Sequence, residues 1–177
     1  MKVDLPAPDI FFGNDKMEVT DTDIYKSDQA FTQGQMITVT GIDNLNEWWI
    51  DPDFFEKQSD GALKFLPING DYRVTANAVL KYFSVMALKD GKPAKLQDDG
   101  TGAIWAIGKG IGKPSVTSSE VGWEPGKALC LAQVAPKKYQ LTLKAGETLK
   151  TSGDPEVISF KFFHQNDWGG EFGNYAN

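Results

Sequence analysis

Two residue types that carry much of protein chemistry are almost missing: the 177-residue chain has one histidine and one cysteine. A single cysteine makes no intrachain disulfide, so no disulfide framework holds this fold. Cys130, within Leu129-Cys130-Leu131, reads as a small buried hydrophobe. With His164 alone, His-pair zinc sites, Cys-His pairs and Ser-His-Asp sets have little to draw on, and no G-x-S-x-G elbow is present. No cofactor or metal site is expected, and the protein is not expected to be an enzyme. Long apolar runs are also missing: no segment reaches the length of a bilayer-spanning helix, and Met1–Pro6 has no leader-like apolar stretch. Positive charge is in deficit, with 18 Lys and Arg against 24 Asp and Glu and a net charge of -6. That argues against a nucleic-acid backbone or an anionic lipid surface as the main partner, and leaves neutral polar partners open.

What is present alternates with the period of strands. Met36–Thr40, Tyr72–Ala76, Tyr139–Leu143 and Ile158–Phe162 exchange apolar for polar residues position by position. Eighteen glycines and nine prolines punctuate them. No window keeps a helical period beyond a single turn at Asp53–Lys57. The expected fold is all-β, as two tandem immunoglobulin-like β-sandwich modules. The polar, turn-rich stretch Lys89–Gly100 divides them, giving modules over 1–95 and 96–177. Equal spacings in the two halves lead from a strand end, past tryptophan, to a strand starting at Tyr72 or Tyr139, which suggests two copies of one unit. The second copy ends at Gly173–Asn177 without an evident closing strand, as a truncated module would.

Catalytic and ion-binding patterns fail on inspection. Gly108-Lys109-Gly110-Ile111-Gly112-Lys113-Pro114 resembles a phosphate loop, but its spacing and its proline do not fit, and it reads as a flexible connection between strands. Asp51-Pro52-Asp53 and Asp98-Asp99 offer oxygen ligands without the calcium-loop ladder. Aromatic residues beside amides and charges remain. Trp168 follows Gln165 and Asn166 just past a strand, and Trp123 sits in the glycine-flanked Gly122-Trp123-Glu124-Pro125-Gly126. A ring in such a loop stacks on the C–H face of a sugar while amides and charges bond its hydroxyls. Trp105 reads as core, and Trp48-Trp49 as a pair facing opposite ways. In the strand around Phe160, Ile158, Phe160 and Phe162 read as the core face, which turns Lys161 toward solvent or ligand.

The segments Trp48–Glu56, Asn69–Thr75, Asp99–Trp105 and Phe160–Phe172 resemble, over nearly the whole chain, a family of Bacteroides surface lipoproteins related to SusE and SusF of the starch-utilisation system. The resemblance implies a lipid-anchored outer-membrane protein at the cell surface, although the lipidated cysteine is not in this sequence. It also implies noncatalytic binding of a polysaccharide or oligosaccharide, and SusC- or SusD-like outer-membrane partners. Lys161 and Trp168 match its binding pattern best, Trp123 matches by its place in the loop, and Gln165 and Asn166 supply amides. A structural spacer without a ligand site is the alternative. Exposed, coplanar tryptophans favour binding; buried ones favour the spacer.

Overall fold

The computed structural model describes residues 7–172, so Met1–Pro6 and Gly173–Asn177, including the suggested missing edge, lie outside the described residues. The chain is all-β, its strands arranged in several antiparallel sheets. In the N-terminal half a five-stranded sheet runs in the order Lys92–Pro93, Tyr82–Lys89, Gly70–Asn77, Ile24–Phe31, Glu18–Asp21. Alternation places Tyr25 and Phe31, Tyr72, Val74 and Ala76, and Phe83 and Val85 on its buried face. Opposite lie two three-stranded sheets, Asp15–Lys16/Phe11–Phe12/Val39–Thr40 and Met36–Ile37/Leu63–Phe65/Phe55–Lys57. Phe12, Ile37, Phe55, Leu63 and Phe65 close the core from that side. Its aromatic rings meet edge to face or tilted, Phe12 edge to face on Phe83 at 5.2 Å and Phe65 on Tyr72 at 4.9 Å.

The run expected as one strand over Met36–Thr40 is split at Thr38, its two parts entering different sheets. The helical turn expected at Asp53–Lys57 is also different: a turn closes on the Asp51 carbonyl, and Phe55–Lys57 is strand. Burial of Phe55 against Phe12 and Phe65 favours the extended form there.

The C-terminal half is built around Trp105–Gly112. Ser159–Phe163 pairs with one of its edges, and Glu120–Gly122 and Leu129–Cys130 pair with the other. Ala132–Ala135 and Lys138–Gln140 form a separate ribbon. The central strand runs through the glycine-rich stretch instead of ending before it, so that segment is a buried strand and no flexible connection. Its glycines answer close backbone approach. A Cβ on Gly108, where φ is +148°, would stand 2.3 Å from Phe160 Cα, and one on Gly112 would stand 2.4 Å from the Ser119 carbonyl oxygen.

The two tyrosines are not equivalent. Tyr72 lies in the middle strand of the five-stranded sheet, whereas Tyr139 is in the two-stranded ribbon. Each hydroxyl donates to a backbone carbonyl, Tyr72 to Ile68 at 2.7 Å and Tyr139 to Gly100 at 3.0 Å, but in different settings. Equal spacing therefore reflects no duplication of one unit; the halves share strand-rich composition and differ in topology.

The alternation reading of Ser159–Phe163 holds only in part: Lys161 is exposed and Phe160 packs half-buried against the core as expected, but Phe162 and Phe163 exchange places. Phe163 is 2% exposed and joins the core with Ile107, Ile111 and Val121, while Phe162 is 37% exposed. Trp105 and Cys130 are buried as expected, in a cluster with Ala94 and Ala103 against which Met86 and Ala87 of the N-terminal half pack.

Candidate functional site

Trp123 lies between Glu120–Gly122 and the short turn Pro125–Lys127, and Trp168 lies in the loop that follows Ser159–Phe163. The two indoles come together: their centroids are 6.4 Å apart and their planes within 24° of parallel. Both are accessible, Trp123 at 38% and Trp168 at 50%. Trp168 is seated from behind, meeting the buried Phe163 ring edge to face at 5.9 Å. The Trp168 amide caps the Asp167 carboxylate at 2.7 Å, and Gln165 Nε2 donates to the Trp168 carbonyl. His164 N donates to the Gly170 carbonyl, and Phe172 N to that of Phe162, which closes the loop back on its strand.

The other candidates around this pair are partly engaged. Lys161 Nζ lies 3.0 Å from Glu171 Oε2 at the base of the loop. Gln165 holds the Trp168 backbone, and Asn166 Oδ1 is buried without a hydrogen-bond partner. Trp123 and Trp168 therefore present the accessible rings, while Lys161 and Gln165 fix the loop that carries one of them. Of the remaining tryptophans, Trp48 is buried against Phe83 at 4.7 Å and Trp49 is half-buried against Tyr82. One ring of that pair, Trp48, is inward as expected, while Trp49 is held half-buried and not fully exposed.

A second constellation lies between the halves. Lys113 Nζ donates to Asp51 Oδ2 at 2.7 Å and to Asp53 Oδ2 at 3.0 Å, with all three side chains buried. Asp53 also accepts from Gln140 Nε2 at 2.9 Å, Thr142 N at 2.7 Å and Thr142 Oγ1 at 2.6 Å. Asp51 Oδ1 accepts from Asp53 N at 3.0 Å. Burial raises the Asp51 carboxyl above its ordinary range, outweighing the pull of Lys113. Asp53 is lowered: burial opposes ionisation there, but Lys113 and the bonds from Thr142 and Gln140 prevail. The two carboxylates weighed as oxygen ligands thus serve a lysine from the misread glycine-rich strand. Sequence reasoning had each residue in view but no signal joining positions 62 and 60 residues apart. The other acidic pair is local: Asp99 accepts from the Thr101 amide and hydroxyl.

Burial pushes the Cys130 thiol up to about 12, far from the thiolate a nucleophile requires. His164 packs on Phe172 at 4.1 Å, beyond the strand end. Among the described residues no helix is long and apolar enough to cross a membrane.

Fold and site together define an all-β protein with two strand-rich halves and a pair of accessible, nearly parallel indoles on the second. The chain belongs to the family described as "Domain of unknown function (DUF5125)", whose model matches residues 5–96. The model described as "Domain of unknown function (DUF5121)" matches residues 99–177. No curated protein and no solved structure matches the chain.

Proposed function

We propose that this protein binds glycans without acting on them, through a platform made by Trp123 and Trp168. The observation that carries this reading is the pairing of the indoles: two accessible rings, nearly parallel, with the Trp168 loop braced by Phe163, Gln165 and the Lys161–Glu171 ion pair. Large aromatic rings left in water forfeit burial that a fold ordinarily takes, and the accessible face of such a ring suits the C–H face of a sugar residue. The rest of the reading follows the family resemblance: a lipid-anchored protein at the outer-membrane surface, working with SusC- and SusD-like partners in polysaccharide capture. The exposure of both rings favours binding over a purely structural spacer.

One stacked platform with few hydrogen bonds supports a Kd of roughly 0.1–1 mM, or about -5.5 to -4 kcal/mol. The test is a glycan array followed by titration of the strongest hit into wild type, Trp123→Ala and Trp168→Ala. Both variants are expected to keep the wild-type melting temperature within a few degrees and to lose detectable binding. Folded variants that bind as wild type does, or an array on which nothing is retained, overturn the reading.

A further inference from the structure

The joint between the halves encloses a pocket of about 370 Å³, lined by Tyr82 and Ser84 from the N-terminal half and by Trp105, Ser119 and Gly126 from the C-terminal half. The buried Asp51–Lys113 ion pair forms part of its wall. That volume lies within the range of small-molecule sites, about 300–1,000 Å³, and the wall combines aromatic surface with a few fixed polar groups, as such sites do.

The charges in the wall select the chemistry of an occupant. The wall holds Asp51, Lys113 and the more exposed Lys127; Asp51 and Lys113 are bonded to each other, so an added anion reaches that buried ammonium only in competition with Asp51. An added cation competes with Lys113 for carboxylates already bonded at 2.7 and 3.0 Å. Breaking that buried pair leaves a charge buried without its partner, which is strongly unfavourable. A neutral hydroxyl meets neither penalty. An ammonium has three protons, and among the described residues Lys113 directs one to each aspartate, which leaves one to donate to a ligand oxygen. Asp51 Oδ2 retains lone-pair capacity for the hydroxyl's own proton. Tyr82, half-buried, offers apolar surface to the C–H side of a ring, and the buried Trp105 indole borders the same pocket.

We infer that this pocket binds one neutral, polyhydroxylated ring, of the size of a single sugar unit, between the two halves of the chain. The site is separate from the Trp123–Trp168 platform and does not rest on the reading of that platform; either can fail alone.

The five tryptophan indole N–H groups make the two sites separable by NMR on the whole chain. Methyl glucoside, methyl galactoside and methyl mannoside are titrated as neutral probes, with glucuronate and glucosamine as anionic and cationic counterparts. The expected result is a saturable shift of the Trp105 indole with at least one neutral probe, weaker by about tenfold or more for the charged ones. It should persist in Trp168→Ala, which removes only the platform. Two variants fill the pocket, Ser84→Phe and Gly126→Leu; at Gly126 an added Cβ meets no atom within 4 Å, so the second keeps the test valid if the first does not fold. Either filled variant, once folded, should abolish the Trp105 shift. No saturable shift with any neutral probe, tighter binding of a charged counterpart, or a shift retained in a folded filled variant overturns the inference. Shifts confined to Trp123 and Trp168 also overturn it while supporting the platform.

Discussion

Lys113 reaches across 62 residues of sequence to Asp51, its Nζ 2.7 Å from Oδ2, with both side chains buried. The contact joins the halves of the chain through charge, in a joint that also holds the Asp53 bonds to Gln140 and Thr142, apolar packing around Trp105 and backbone bonds such as Ile68 N to the Gln133 carbonyl. Buried ion pairs add little net stability over an apolar replacement, but they are costly to halve. That asymmetry makes the joint sensitive to single substitutions.

Lys113→Met leaves two carboxylates buried without their ammonium. A loss of about 3–5 kcal/mol in unfolding free energy is expected, measured by urea denaturation. A loss under about 1 kcal/mol would show that the joint does not depend on this lysine.

The two aspartates should respond to pH with opposite signs. Asp53 is lowered in the folded protein, so its contribution is complete above about pH 4, near the unfolded value, and is lost as pH falls through the lowered folded value. Asp51 is raised by burial, so folding favours its protonated form; that contribution is present at low pH and is lost as pH rises from about 4 through the raised folded value. The stability gap between wild type and Asp53→Asn should therefore shrink on acidification, while wild type gains relative to Asp51→Asn. Denaturant titrations at a series of pH values check this, and slopes of the same sign for both variants would contradict it.

The inward and outward faces of Ser159–Phe163 can be told apart by truncation. Phe163→Ala removes a ring in the C-terminal core and should cost about 3–5 kcal/mol. Phe162→Ala removes a ring with much of its surface already in water and should cost less than about 1.5 kcal/mol. Equal losses would restore the opposite facing of the strand.

Gly108→Ala places a methyl group where the Ser159 carbonyl oxygen and Phe160 Cα already stand, each 2.3 Å away. A destabilisation of at least about 2 kcal/mol is expected, with faster amide exchange concentrated in Ser159–Phe163. Wild-type exchange in that strand would remove the packing role assigned to this glycine.

Lys161→Ala breaks an exposed pair with Glu171 and should change stability by no more than about 1 kcal/mol. If that pair braces the loop of the platform, glycan affinity should fall several-fold while Trp168→Ala abolishes it. An unchanged affinity would confine the role of Lys161 to the surface.

The sequence by itself determined the class of the fold. Alternation in Tyr72–Ala76, with turns rich in glycine and proline, demands strands because a period of two buries one face of a sheet and no face of a helix. The buried places of Trp105 and Cys130, and the burial of one ring of the Trp48-Trp49 pair, were legible for the same local reason. Only the tertiary structure decided which face of Ser159–Phe163 turns inward. Both parities of that strand carry aromatic residues, so alternation alone has no preferred side; pairing with Trp105–Gly112 settles it. The glycine-rich stretch looked flexible because a glycine records an approaching backbone only once that backbone is in place. Trp123 and Trp168 were recognisable singly as loop aromatics, but their near-parallel pairing depends on two loops more than forty positions apart meeting beside one sheet. The contact of Asp51 and Asp53 with Lys113 was beyond sequence for the same cause. A charge is ordinarily written for water, and nothing in Asp-Pro-Asp or Gly-Lys-Pro says that folding will bury these side chains and bring them together.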